Sequence, residues 1–163
     1  MGALADRRIL KSTISPQIFN TFRRRRLDEG ITDEQLVDSF HAFATKTPVE
    51  DLDLLDPDKI YLVQLADFMW QEIRSVEERI TTARHFRVFP GEGVHSTEVA
   101  EWVRRLHALG YRGDYSFEVF NDDYQQMPLP TVAARARKSA LWLGEEVLQR
   151  SVPIPNAMTL RRG

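Results

Sequence analysis

Residues 115–123 read YSFEVFNDD. Tyr115, Phe117, Val119 and Phe120 favour a strand, yet Glu118 stands among them and the stretch ends in Asn121, Asp122 and Asp123. Side chains alternate along a strand, so Ser116, Glu118 and Phe120 share one face. A carboxylate buried there without a partner is costly, so it must meet a cation, a donor or a metal. Residues 60–66, IYLVQLA, pose the same question, because Gln64 interrupts an apolar run of strand length. Such a run suits a parallel strand covered on both faces.

The elements around these two strands alternate with them. After 60–66 comes a partly helical stretch, 67–80, and then RVFPGEG at 87–93, where Pro90, Gly91 and Gly93 force a turn. Residues 96–109 form an amphipathic helix with Val99, Trp102, Val103 and Leu106 on one face, stopped by Gly110. A second helix follows the Asn/Asp/Pro loop from Thr131 to about Leu148. Its Ala136, Ala140, Leu143 and Val147 lie on one side. Residues 48–59 read as loop or short helix. Residues 32–44 read locally as a helix, with Thr32 and Gln35 as a capping box and Leu36, Phe40 and Phe43 at helical spacing. The alternation of strand and helix predicts an α/β fold of right-handed βα units on a parallel sheet. Ligands in such folds bind beyond the C-terminal strand ends, where Gln64 and Glu118 stand.

The chain has 163 residues, a net charge of −2 and no cysteine, which excludes disulfides and thiolate metal sites and fits a reducing cytoplasm. Neither an apolar run of membrane-span length nor a signal-peptide core is visible, so a cytoplasmic protein with no membrane partner is expected. The balanced charge speaks against a nucleic-acid partner. The run Arg23 to Arg26 reads as a solvated face or loose tail.

Oxygen ligands from neighbouring strand ends suit Mg²⁺ or Mn²⁺. The competing reading of Glu118 is a strand-end acid paired with an arginine. DSFH at 38–41, VQLAD at 63–67, RVFPGEG at 87–93 and FEVFND at 117–122 resemble the C-terminal half of the xylose isomerase-like TIM barrels, the sugar phosphate isomerase/epimerase family. Within it they lean towards the branch containing 3-dehydroshikimate dehydratases. The resemblance covers about residues 36–148 and implies an incomplete (β/α)8 barrel, since a full one needs about 250 residues.

By that resemblance Asp38, Gln64 and Glu118 match metal ligands, His41 matches a catalytic histidine, and Arg87 matches a basic residue that contacts substrate oxygens. The implied cofactor is a divalent metal, Mg or Mn, with Co or Zn as alternatives. The implied chemistry is enolisation of a small polyhydroxylated carbonyl substrate, giving isomerisation, epimerisation or, by loss of a β-hydroxyl, dehydration. Two departures stand out. The family's first ligand, a Glu on an earlier strand, has no match in ADRRILKS, and residues 1–35 do not resemble the family. The chain is therefore expected to comprise a non-matching segment 1–35, disordered or helical, a partial barrel 36–148 and a tail 149–163. A truncated, inactive barrel is the alternative to an enzyme, and self-association would cover its open sheet edges. The family also requires a strand ending at Asp38, against the helical reading of 32–44. Elsewhere, Asp67 divides between orienting a ligand and a turn role, and Asn121 and Asp122 between lining the pocket and capping. His85, His95, His107 and Glu92 read as surface residues, and the three tryptophans as packing.

Overall fold

The computed structural model describes residues 19–20 and 35–150. Four strands form one sheet in chain order: β1 (Phe19–Asn20), β2 (Gln35–Asp38), β3 (Ile60–Leu65) and β4 (Asp114–Phe117). β2, β3 and β4 are parallel, and β1 lies antiparallel on β2. The helices are α1 (Ser39–Ala44), α2 (Val76–His85), α3 (Ser96–Leu109), α4 (Asp122–Gln125) and α5 (Leu129–Leu141). Two 3-10 turns, Val49–Leu54 and Pro57–Lys59, lead into β3. The Arg23–Arg26 run and residues 151–163 lie outside the described residues.

The two readings of 32–44 divide the segment between them. Gln35–Asp38 is strand, and the helix begins at Ser39. Asp38 makes the join: its backbone is extended and its Oδ1 accepts from the N–H groups of Phe40 (2.8 Å) and His41 (3.4 Å), capping α1. The helical spacing of Phe40 and Phe43 is real, whereas Gln35 and Leu36 belong to the strand, and Thr32 lies outside the described residues. Strand pairing overrides local helical propensity here, because β2 gains a parallel neighbour in β3 that an isolated segment lacks.

Register sorts side chains onto two faces. Val37 and Val63 are fully buried and pack, with Leu65, against Val99, Trp102, Val103 and Leu106 of α3. Each buried aliphatic side chain contributes roughly 1.5–3 kcal/mol. α3 spans the expected residues and ends at Gly110, whose φ of 113° is left-handed. The other face carries Asp38, Gln64 and Ser116, aligned across the sheet as Asp38↔Gln64 and Gln64↔Ser116. β4 is shorter than expected, ending at Phe117 rather than Phe120, because Asn121 draws the chain into α4. The last helix gives way to wider turns over Trp142–Val147, which bring Leu143 and Val147 into the core.

Candidate active site

Glu118 directly follows β4, and its N–H still bonds the Leu65 carbonyl (3.2 Å). Period-two alternation sets it on the face of Ser116, and hence of Gln64 and Asp38. Gln64 is half-buried and makes no side-chain hydrogen bond among the described residues.

Arg87 crosses this face from the next segment. Its backbone N–H bonds Phe120 O (3.0 Å), and its carbonyl accepts from Asn121 Nδ2 (2.9 Å). The side chain is almost fully buried. Nε donates to Ala83 O (3.0 Å), while Nη1 donates to Glu118 Oε2 (2.7 Å) and reaches Asp38 Oδ2 (3.3 Å). The guanidinium carbon sits 4.4 Å from the centre of the Phe40 ring, a cation–π contact. The competing reading of Glu118, an acid paired with an arginine, is thus the observed pairing.

His41 stands beside the pair, with Nε2 3.7 Å from Asp38 Oδ2 and a side chain 27% exposed. Burial pushes its imidazole below the ordinary value, against the pull of Asp38, so it is neutral near pH 7. Burial drives the Asp38 carboxyl upward, opposed chiefly by Arg87. All five side chains singled out in the sequence therefore sit at one end of the sheet: Asp38, Gln64 and Glu118 on one face, Arg87 across them and His41 at the edge.

Neighbouring residues hold this arrangement. Asp67 is buried and performs a turn role: Oδ1 accepts from the N–H of Phe68 (2.7 Å) and His95 (3.1 Å), and Oδ2 from Ser96 Oγ (2.9 Å). Its backbone bonds Val88 in both directions, which fixes the segment carrying Arg87. A Cβ on Gly93 would overlap Asp67 and approach the Phe68 carbonyl, so the turn requires glycine. Asn121 caps α4 through Tyr124 N (3.1 Å) besides holding Arg87. Asp122 pairs with His85 at 3.1 Å.

Two surface expectations need correction. His95 is buried, its ring 4.2 Å from that of Phe68, because the start of α3 folds down onto the β3 exit loop. Glu92 is not in open solvent: it pairs with Arg135 (2.8 Å) and accepts a short hydrogen bond from Tyr124 Oη, a clamp between the Pro-Gly turn, α4 and α5. Neither position lies on a periodic pattern, so neither carries a sequence signal. Arg135 and Tyr124 were missed for the same reason.

No family profile matches the sequence. Among curated proteins, the 3-dehydroshikimate dehydratase of Pseudomonas putida is 35% identical over 115 residues, covering 71% of this chain and 17% of that protein. The enzyme of the same name from Pseudomonas aeruginosa is 36% identical over 121 residues, covering 72% and 18%. A xylose isomerase-like TIM barrel/4-hydroxyphenylpyruvate dioxygenase fusion protein superposes with a TM-score of 0.60 at 34% identity, over 70% of this chain and 17% of that one. Over about 70% of its length the chain resembles the xylose isomerase-like TIM barrels. It spans under a fifth of the curated relatives that it matches. A xylose isomerase domain protein from Alicyclobacillus acidocaldarius gives a TM-score of 0.53 at 28% identity, over 71% of this chain and 37% of that one. The IolI protein, with a bound zinc atom, gives 0.56 at 22% identity over 70% and 38%, a likeness of fold. Three parallel strands with α3 packed on one face and polar residues on the other are a partial xylose isomerase-like barrel. No helix among the described residues is long and apolar enough to cross a membrane.

Proposed function

We propose that this chain carries the C-terminal part of a divalent-metal site for enolisation of a small polyhydroxylated carbonyl compound, with loss of a β-hydroxyl as in a 3-dehydroshikimate dehydratase. The observation that carries the reading is that Asp38 and Glu118, from different strand ends, reach one cationic nitrogen. Two carboxylates with the Gln64 amide on the same face form an oxygen-rich donor set that fits a divalent ion, Mg²⁺ or Mn²⁺ above Co²⁺ or Zn²⁺. Asp38, Gln64 and Glu118 would hold it, and a bound ion would supply Lewis-acid polarisation of the substrate oxygen, worth several kcal/mol. The relatives named 3-dehydroshikimate dehydratase favour dehydration over isomerisation.

The chain's own residues would divide the remaining work. His41, neutral and partly exposed, takes the proton next to the carbonyl at an imidazole nitrogen, a step worth about 10²- to 10⁴-fold. Asp38 beside it stabilises the imidazolium that forms. The proton returns with the departing hydroxyl, so that water leaves and a double bond is formed. Arg87 offers a planar donor pair to a substrate carboxylate or hydroxyl.

A second reading, a partial barrel that binds no metal unaided, is favoured by one observation. Among the described residues no three His, Cys, Asp or Glu side chains converge, and the family's first Glu ligand has no sequence match. Calorimetric titration of the chelator-treated chain with Mn²⁺, beside Glu118→Gln, separates the two. One saturable site lost in the variant supports the metal reading, and no binding to a folded parent chain supports the second. His41→Asn should then lower turnover of 3-dehydroshikimate by at least about 10²-fold with Mn²⁺ binding intact.

A further inference from the structure

Arg87 gives one nitrogen, Nη1, to both Asp38 and Glu118. Asp38 spends Oδ1 on capping α1, so Oδ2 is the oxygen left for an ion, and Oδ2 is the atom that faces Arg87 Nη1. The same nitrogen takes Glu118 Oε2. Nε on Ala83 O and the Phe40 ring 4.4 Å away fix the guanidinium in that place. A guanidinium therefore stands where a cation shared by the two carboxylates would stand. It also has somewhere to go. The Phe120 ring, half-exposed, lies 5.9 Å from the guanidinium carbon, and the Glu118 side chain is 30% exposed, so the arginine can swing outward and keep a cation–π neighbour.

We propose that Arg87 is an internal placeholder: its guanidinium holds Asp38 and Glu118 together until a divalent cation displaces its Nη1 from the two carboxylates. This deepens the metal reading given above and rests on it.

The test uses the full chain after chelation, at pH 8. In nitrogen-15 spectra, the Arg87 Hη protons should be resolved in the metal-free chain, where hydrogen bonds slow rotation of the guanidinium, and should collapse to an averaged signal on saturation with Mg²⁺. This arm needs no substitution in the site, because the Arg87 side-chain signal is assigned by through-bond correlation from its own backbone amide, so it stands even if a variant fails to fold. In the second arm, Mn²⁺ titration of Arg87→Gln should give about ten-fold or greater tightening over the parent, ten-fold being about 1.4 kcal/mol. Unchanged Hη signals at saturating Mg²⁺, or equal or weaker Mn²⁺ binding by a folded Arg87→Gln chain, overturn the placeholder and leave the metal reading standing. A folded parent chain that binds neither ion overturns both.

Discussion

Replacing Arg87 by Met removes the cation but keeps much of the side-chain volume, leaving Asp38 buried beside no positive charge. At the observed 3.3 Å between Nη1 and Oδ2, the Coulomb term is about 5 kcal/mol at an effective dielectric of 20. Breaking a buried pair from one side costs about 3–5 kcal/mol in practice. Protonation of Asp38 limits the loss, and this gives the prediction its pH signature. The Asp38 carboxyl is already raised above its ordinary 3.8 by burial, and Arg87 is the main influence holding it down. Without Arg87 it rises further, so the folded variant keeps a proton that the unfolded chain releases near 3.8. Stability is then lost as pH rises from that value through the folded one. Urea unfolding followed by circular dichroism at pH 5, 6.5 and 8 should show a deficit of Arg87→Met against the parent that grows with pH and reaches about 3 kcal/mol or more at pH 8. Adding Asp38→Asn should recover part of it and flatten the slope. A deficit below about 1 kcal/mol at pH 8, with no pH trend, would mean that Asp38 is solvated and does not depend on Arg87.

Three further outcomes follow from the same framework. Asp67 is raised by burial, so its charged form weakens the fold as pH climbs from 3.8 through the raised value. Asp67→Asn keeps an acceptor for Phe68 and His95, and the parent-minus-variant stability should therefore decline across that window and level off above it. Gly93→Ala forces a Cβ onto Asp67 and the Phe68 carbonyl, and a thermal melt should show a loss of about 1–3 kcal/mol, typical of overpacking. Leu106→Ala, at a fully buried position of α3, should cost about 2–5 kcal/mol in denaturant. An effect below about 1 kcal/mol would place that helix outside the core.

Elements whose signal is local can be read from the residues alone. α3 carries both an apolar stripe and a stop at Gly110, and both are visible without neighbours. β3 reads as an apolar run, and Ile60, Val63 and Leu65 of it are buried while Tyr61 stays exposed. The five candidate residues were singled out by motif order, and alternation along β4 puts Glu118 on the polar face once the strand is recognised. Tertiary structure decided what depends on partners. Residues 35–38 are strand because β3 lies beside them, although their own pattern favours helix. His95 is buried because a loop and a helix start meet over Phe68. Glu92 finds Arg135 and Tyr124 across a turn. Above all, Arg87 lies between Asp38 and Glu118, separated from them by 49 and 31 positions. Charge pairing over such separations leaves no periodic trace in a sequence, because any counter-ion of suitable reach satisfies it and only the packed chain decides which one arrives.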